Sequence, residues 1–222
     1  MRFGRKSRPE AAPDESATEA PAEPAEESQP PTGGPYDAED VEGDGVERVD
    51  LGSLLIPPVD GAELRLQVDE QTQQVQAVML AGSDGALELR AFSAPRHGDL
   101  WNEVRPQLAA DMARRGGTAT EQEGRFGTEL ACRLTVQAAD GRTGEQASRI
   151  VGVNGSRWML RATFLGKPAL DAESAAPWEQ TLGAIAVRRG EHAMPVGDPL
   201  PVVLPEQARR VTPPGEAGPG TS

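Results

Sequence analysis

The sequence predicts an α+β fold: a mainly antiparallel β-sheet with two helices packed on it. Three observations carry this. Short apolar stretches alternate with polar residues at a period of two. Turn pairs of the Asp-Gly and Asn-Gly type separate them. Two longer stretches switch to helical spacing behind an aspartate.

The fold does not start at residue 1. The first 47 residues hold seven prolines, 13 acidic residues and two aromatics, Phe3 and Tyr36. They offer too little apolar surface to offset chain entropy, so residues 1–47 are expected to be a disordered acidic tail. Four of the first eight residues are basic, whereas residues 9–47 carry 13 acidic residues and no basic one. The rest of the chain carries 22 acidic against 18 basic residues, so the tail holds most of the net charge of −13. The domain's near balance argues against general nucleic-acid binding, which needs a clustered cationic footprint.

Val49 to Ile56 is an apolar entry segment closed by Pro57-Pro58. Ala62, Leu64, Leu66 and Val68 alternate with Glu63, Arg65 and Gln67, a half-buried strand. Val75 to Leu80 is a denser strand, and Ser83-Asp84-Gly85 turns it into Leu87, Leu89 and Ala91. Asp99 sits where a helix N-cap belongs, and Leu100, Trp101, Val104, Leu108 and Met112 follow at helical spacing until Gly116-Gly117. Pro106 predicts a kink or a later helix start.

Leu130, Cys132, Leu134 and Val136 share one face of the next strand, which Asp140-Gly141 turns. Ile150 to Val153 runs to Asn154-Gly155, read as a type I′ turn, and Trp158, Leu160, Ala162 and Phe164 share one face beyond it. A second helix is expected from Asp171 through Trp178, Leu182 and Ile185, then a short strand at Ala186-Val187. The domain is thus placed at residues 48–190. The proline-rich stretch 191–210 reads as an extended strap lying on it, and residues 211–222 as disordered. Leu89-Arg90-Ala91-Phe92 is echoed by Leu160-Arg161-Ala162-Thr163-Phe164, each after a glycine turn and before a helix bearing Trp, the pattern of a β–β–α unit used twice on one sheet.

The stretch from Arg149 to Arg161, with Phe126-Gly127-Thr128-Glu129-Leu130, Val187-Arg188-Arg189-Gly190 and Asp198-Pro199-Leu200-Pro201, resembles an uncharacterised actinobacterial family of unknown function. The resemblance runs from about Gly43 to Pro205. It implies a cytoplasmic protein and no catalytic residue. The element order is also similar to the Mog1/PsbP-like fold, which concerns architecture alone.

The chemistry-bearing motifs are absent: no phosphate-cradling Gly-x-x-x-x-Gly-Lys, no Gly-x-Gly-x-x-Gly, no Gly-x-Ser-x-Gly and no His-Glu-x-x-His. The single Cys132 excludes a disulfide within the chain and paired-cysteine zinc motifs, and its phase with Leu130 makes it a core thiol. His97 and Asp99 flank Gly98 at a strand-to-helix junction, where a solvated histidine and a cap explain them. His192 lies past the last strand. Glu121/Glu123 and Asp69/Glu70 read as solvated acids, and Asp37 to Asp44 lacks the glutamate that would close a calcium loop. Asn154-Gly155-Ser156 fits a glycosylation sequon that a cytoplasmic turn would not use. No cofactor or metal is called for. No apolar run is long enough to span a membrane, and the start lacks a signal-peptide core, so a cytoplasmic location is expected.

One constellation points to binding. Arg161 and Arg157 alternate out of the Trp158–Leu160 face, Arg90 is the echo counterpart of Arg161, and Arg133 opposes Cys132. If these strands are neighbours, the guanidiniums share a face able to hold carboxylate or phosphate; the alternative is an ordinary face with cross-strand pairs to Glu88 and Glu129. Two functions follow. One is a non-catalytic interaction module for a protein partner, whose acidic tail, spanning roughly 35 Å as a flexible chain, lets the basic start around Phe3 reach a partner, folds back over the arginines, or only solubilises. The other is a binder of, or an enzyme on, a small anionic ligand in a pocket walled by Trp101 and Trp178.

Overall fold

The computed structural model describes residues 33–72, 74–137 and 143–203. The turn expected at Asp140-Gly141, the end of the strap from 204 and the stretches 1–32 and 211–222 lie outside the described residues.

The fold is α+β. A seven-stranded antiparallel sheet is built from β4 (Glu63–Val68), β5 (Val75–Ala81), β6 (Gly85–Ser93), β7 (Thr118–Gly124), β8 (Gly127–Gln137), β9 (Thr143–Gly155) and β10 (Trp158–Gly166). Its spatial order is β4-β5-β6-β10-β9-β8-β7. A second sheet joins β1 (Tyr36–Asp37), β2 (Val49–Asp50), β3 (Leu54–Ile56) and β11 (Ala186–Val187) in the order β1-β11-β3-β2, with β1 parallel to β11. The helices are α1 (Leu100–Arg114) and α2 (Ala172–Ala184).

The large sheet is buried on both faces by different elements. Leu87, Leu89 and Ala91, with Val151, Val153, Leu160, Ala162 and Phe164, point to one face, where Trp178, Leu182 and Ile185 of the α2 region and the small sheet's Leu54 and Ile56 close the main core. Leu130, Cys132 and Ile150 point to the other, where Leu100, Trp101, Val104, Leu108 and Met112 of α1 cover β7, β8 and β9. The unbroken run Ile150–Val153 follows from this, since a strand covered on both faces needs apolar residues in both phases. The two halves of the sequence echo do share one sheet. Their helices lie on opposite faces, so the echo is not a repeated β–β–α packing unit.

Asp99 caps α1 by accepting from Asn102 N–H at 2.9 Å, and Asp171 caps α2 by accepting from Ser174 N–H at 2.8 Å. Helix α1 begins at Leu100, with Pro106 inside it, and not later. The strand β7, missed in the sequence because Thr118–Gly124 carries little apolar residue, pairs along β8 and forms the sheet edge.

The β9–β10 turn also differs from the expectation. Asn154 and Gly155 belong to β9, and Ser156-Arg157 make the turn, with Arg157 at φ +63°. Asn154 is used elsewhere: its Oδ1 accepts the N–H of Trp101 at 3.2 Å and its Nδ2 donates to Asp99 at 2.6 Å, closing the start of α1. Gly155 leaves room for the Trp158 indole, whose atoms would lie 2.0 Å from a Cβ there.

The domain boundary at residue 47 is corrected by the stretch 33–47. Tyr36 and Asp37 pair with Ala186 and Val187, Asp37 accepts Trp158 Nε1–H at 2.6 Å, and Arg48 donates Nε–H to the Ala184 carbonyl at the end of α2. Pairing partners far along the chain, invisible to composition, fold this acidic stretch. Beyond β11, Gly197 and Leu200 donate backbone N–H to Ser93 and Ala91, and Val203 to Leu51, so 197–203 lies along β6 and the small sheet.

Candidate functional site

The four arginines do not share a face. Arg90 and Arg161 stand directly opposite each other on β6 and β10, on the face that bears α1. Arg133 lies on the other face, because on β8 the apolar phase (Leu130, Cys132) fills the α1 side, whereas on β10 it (Leu160, Ala162) fills the α2 side. Arg133 is exposed and paired with Glu145. Arg157 occupies the turn, where its carbonyl accepts from Ala94 N–H and Arg189 Nε–H. The set therefore reduces to Arg90 and Arg161.

Their surroundings are mixed, with Ala77 of β5 buried on the same face. On the α1 face, Arg65 and Gln67 of β4 are exposed, and Met79, Glu88, Arg90, Arg161 and Thr163 are half-buried. Beside Arg161 in the next strand stands Gly152, whose missing side chain admits the Trp101 indole, 2.2 Å from where a Cβ would be. The first turn of α1 thus walls the Arg161 side of this bare half-face.

Arg90 Nε donates to Glu88 at 3.0 Å. Arg161 has no carboxylate partner among the described residues and lies over the Phe92 ring, its guanidinium carbon 5.3 Å from the ring centre. Burial pushes the Arg161 guanidinium below its ordinary pKa, the like charge of Arg90 adds to this, and Glu88 opposes it. Two like charges placed directly across neighbouring strands disfavour each other. An incoming carboxylate relieves that and finds a planar fork to hold it.

The other candidate residues are engaged structurally. Cys132 is buried, and burial pushes its thiol pKa up. Asp99 serves the α1 cap, His97 is exposed, and the His192 carbonyl accepts from Arg189. Glu121 pairs with Arg105 at 2.8 Å, Glu123 accepts from Thr128 at 2.7 Å, and Asp69 accepts from Gln71 and Thr72 N–H. Asp44 pairs with Arg48 at 2.8 Å. Among the described residues no group of three or more His, Cys, Asp or Glu is placed to hold a metal ion.

Trp101 and Trp178 do not wall a common pocket. They lie in separate cores on opposite faces, 4% and 7% exposed. Two shallow grooves are present, of about 350 Å³ beside Arg133, Glu145 and Leu170 and about 430 Å³ between the Ala38–Asp50 stretch and Arg188; neither includes Arg90 or Arg161.

Sequence reasoning missed one charged cluster. Arg149 Nη1 donates to both oxygens of Glu129 at 3.2 Å and reaches Glu179 of α2 at 2.8 Å, with the guanidinium 4.2 Å over Phe164. Gln122 donates to Glu129 at 2.8 Å, and Gly124 leaves room for that carboxylate. The partners lie on four separate elements, so no local spacing announces them. Glu129 and Arg149 do fall in the stretches that carry the family resemblance. The Arg188-Arg189 pair of those stretches is structural too: Arg188 holds Asp50 at 2.9 Å, and Arg189 reaches Ser93 at 3.0 Å.

Among the described residues no helix is long and apolar enough to cross a membrane. No curated protein matches the chain. A solved structure from Bacteroides thetaiotaomicron is similar over 66% of this chain and 49% of that one, at 12% identity and a TM-score of 0.38. The chain thus spans about half that protein's length, and the likeness carries no argument about fold or function. A family model matches residues 34–211, starting where the described fold starts, and the chain belongs to that family, described as protein of unknown function (DUF3710).

Proposed function

We propose that this protein is a non-catalytic interaction module, and that the bare half-face of β4, β5, β6 and β10 binds an acidic, extended segment of a protein partner. The observation that carries the reading is the Arg161 guanidinium, half-buried opposite Arg90 and without a carboxylate among the described residues. Phe92 beneath it and Met79 nearby add apolar surface for the stems of partner side chains. An extended segment suits a sheet face better than a small anion does, because small-molecule sites enclose most of their ligand. The reading takes the protein as cytoplasmic and actinobacterial, with a Mog1/PsbP-like arrangement. Its lone, buried Cys132 and its 20 arginines against two lysines support the first two.

The test is binding of a fluorescent oligoglutamate peptide to the full chain in low salt. Arg90→Glu with Arg161→Glu is expected to weaken binding at least tenfold, Arg133→Glu to leave it unchanged, and added salt to reduce it. Equal loss in Arg133→Glu, or no loss in the double variant with the fold intact by circular dichroism, overturns the reading.

A further inference from the structure

We infer that the bare half-face is occupied, in the resting chain, by the protein's own acidic stretch 9–32, which a partner must displace. The inference rests on the interaction reading and names the surface's first occupant.

Charge complementarity is the first argument. Residues 9–32 contain seven acidic side chains and no basic one, and Arg161 lacks a carboxylate among the described residues. The place where the described chain begins is the second. The Gly33 carbonyl lies beside Gly183 near the end of α2, 2.7 Å from where a Cβ of Gly183 would be, and the Arg125 guanidinium lies 3.7 Å from the same point. Arg125 sits at the tip of the β7–β8 hairpin, exposed, its guanidinium carbon 5.5 Å from the centre of the Phe126 ring and with no carboxylate partner among the described residues. Gly33, the first described residue, therefore lies beside a cation at the tip of the edge hairpin.

The distance is short. From edge strand β7 to β10 is three strand spacings, about 14 Å at 4.8 Å each, and on this face the path runs round α1, which covers β7, β8 and β9. Twenty-four residues of extended chain reach up to about 80 Å, so length does not prevent docking. A covalent tether also supplies an effective concentration in the millimolar range. A segment with only millimolar intrinsic affinity then covers about half of the surfaces, and one ten times tighter covers about nine-tenths. External acidic ligands accordingly see a surface masked two- to tenfold.

Two measurements test this on the full chain. The seven acids of residues 9–32 are replaced by their amides, and affinity for the oligoglutamate peptide is expected to rise two- to tenfold. A spin label on Ser16→Cys is expected to broaden the side-chain Nε–H signals of Arg90 and Arg161 more than that of Arg133, with the broadening lost at high salt or after amidation. Unchanged affinity with no selective broadening overturns the inference while leaving the interaction reading standing, provided the peptide still binds through Arg90 and Arg161. Failure of the peptide to bind even the amidated chain overturns both.

Discussion

Arg149 and Glu129 form a buried ion pair in which one guanidinium nitrogen faces both carboxylate oxygens at 3.2 Å. Glu129 is 1% exposed, and the Nε and Nη2 of Arg149 have no hydrogen-bond partner among the described residues. Glu179 brings α2 into the same cluster, so the pair ties the helix to β8 and β9. Removing Arg149 leaves two carboxylates at a buried site. Arg149→Ala is therefore expected to cost about 3–5 kcal/mol, the range for breaking a buried pair from one side. Glu129→Gln should cost less, since Glu179 still compensates the arginine. Urea unfolding of the two variants checks the order, and a smaller loss in Arg149→Ala contradicts it.

The Trp101 indole occupies the space over Gly152. Gly152→Ala should lower stability by about 1–3 kcal/mol, the usual range for overpacking. In a Trp101→Leu background the same substitution should cost much less. The coupling is read from a double-mutant cycle in denaturant; additive effects would show that the contact is not what excludes a side chain at 152.

Asn154 and Asp99 act together on the start of α1. Each alanine substitution is expected to cost about 0.5–2 kcal/mol, in line with a lost cap. Because the Asn154 amide donates to Asp99 at 2.6 Å, the double variant should lose less than the sum. Thermal unfolding of the three variants measures this.

Where the acidic stretch ends and the fold begins is testable by truncation. Removal of residues 1–32 should lower the midpoint of unfolding only slightly, by the about 0.4–1.4 kcal/mol that two- to tenfold docking contributes. Removal of 1–47 takes away β1, the Asp37 acceptor of Trp158 Nε1–H and the Asp44 partner of Arg48, and should lower it. A buried indole N–H left without its acceptor accounts by itself for about 1–3 kcal/mol. Equal midpoints for the two truncations would restore the boundary at 47.

Three carboxyls are held below their ordinary value. Asp44 is lowered first by the Arg48 hydrogen bond, Asp69 by the Thr72 N–H and Asp171 by its hydrogen bond to Ser174. A carboxyl depressed in the folded state stabilises it above the unfolded pKa, about 3.9, and that contribution is lost as pH falls through the lower folded value. Carbon-detected titration should place all three below about 3.9, and Asp171→Asn should flatten the acid limb of the stability curve. A midpoint at or above the ordinary value for Asp171 would contradict the cap.

The elements were legible because their signals are local. Alternation in Leu64–Val68, Leu87–Ala91 and Trp158–Phe164, and the aspartates before Leu100 and Ala172, depend only on near neighbours along the chain. Arg90 and Arg161 could be grouped from the sequence only on the condition that their strands are neighbours, and the structure places the two directly opposite each other. Which face each strand's apolar phase would fill was not legible. Two layers cover different parts of the sheet, so the Cys132 phase and the Leu160 phase point in opposite directions, and this removed Arg133 from the candidate surface. Asn154 shows the same limit: its dipeptide spelled a turn, and a helix start 53 residues away claimed its side chain.

By itself, then, the sequence determined an α+β domain with most of its strands, its helix caps and an acidic leading stretch, because periodicity and capping are properties of consecutive residues. Only the tertiary structure decided that residues 33–47 belong to the fold, that Arg149 joins Glu129 and Glu179, and that Arg161 stands opposite Arg90 with no carboxylate partner among the described residues. These depend on which distant surfaces meet, and burial and ion pairing act between residues that the chain order keeps apart.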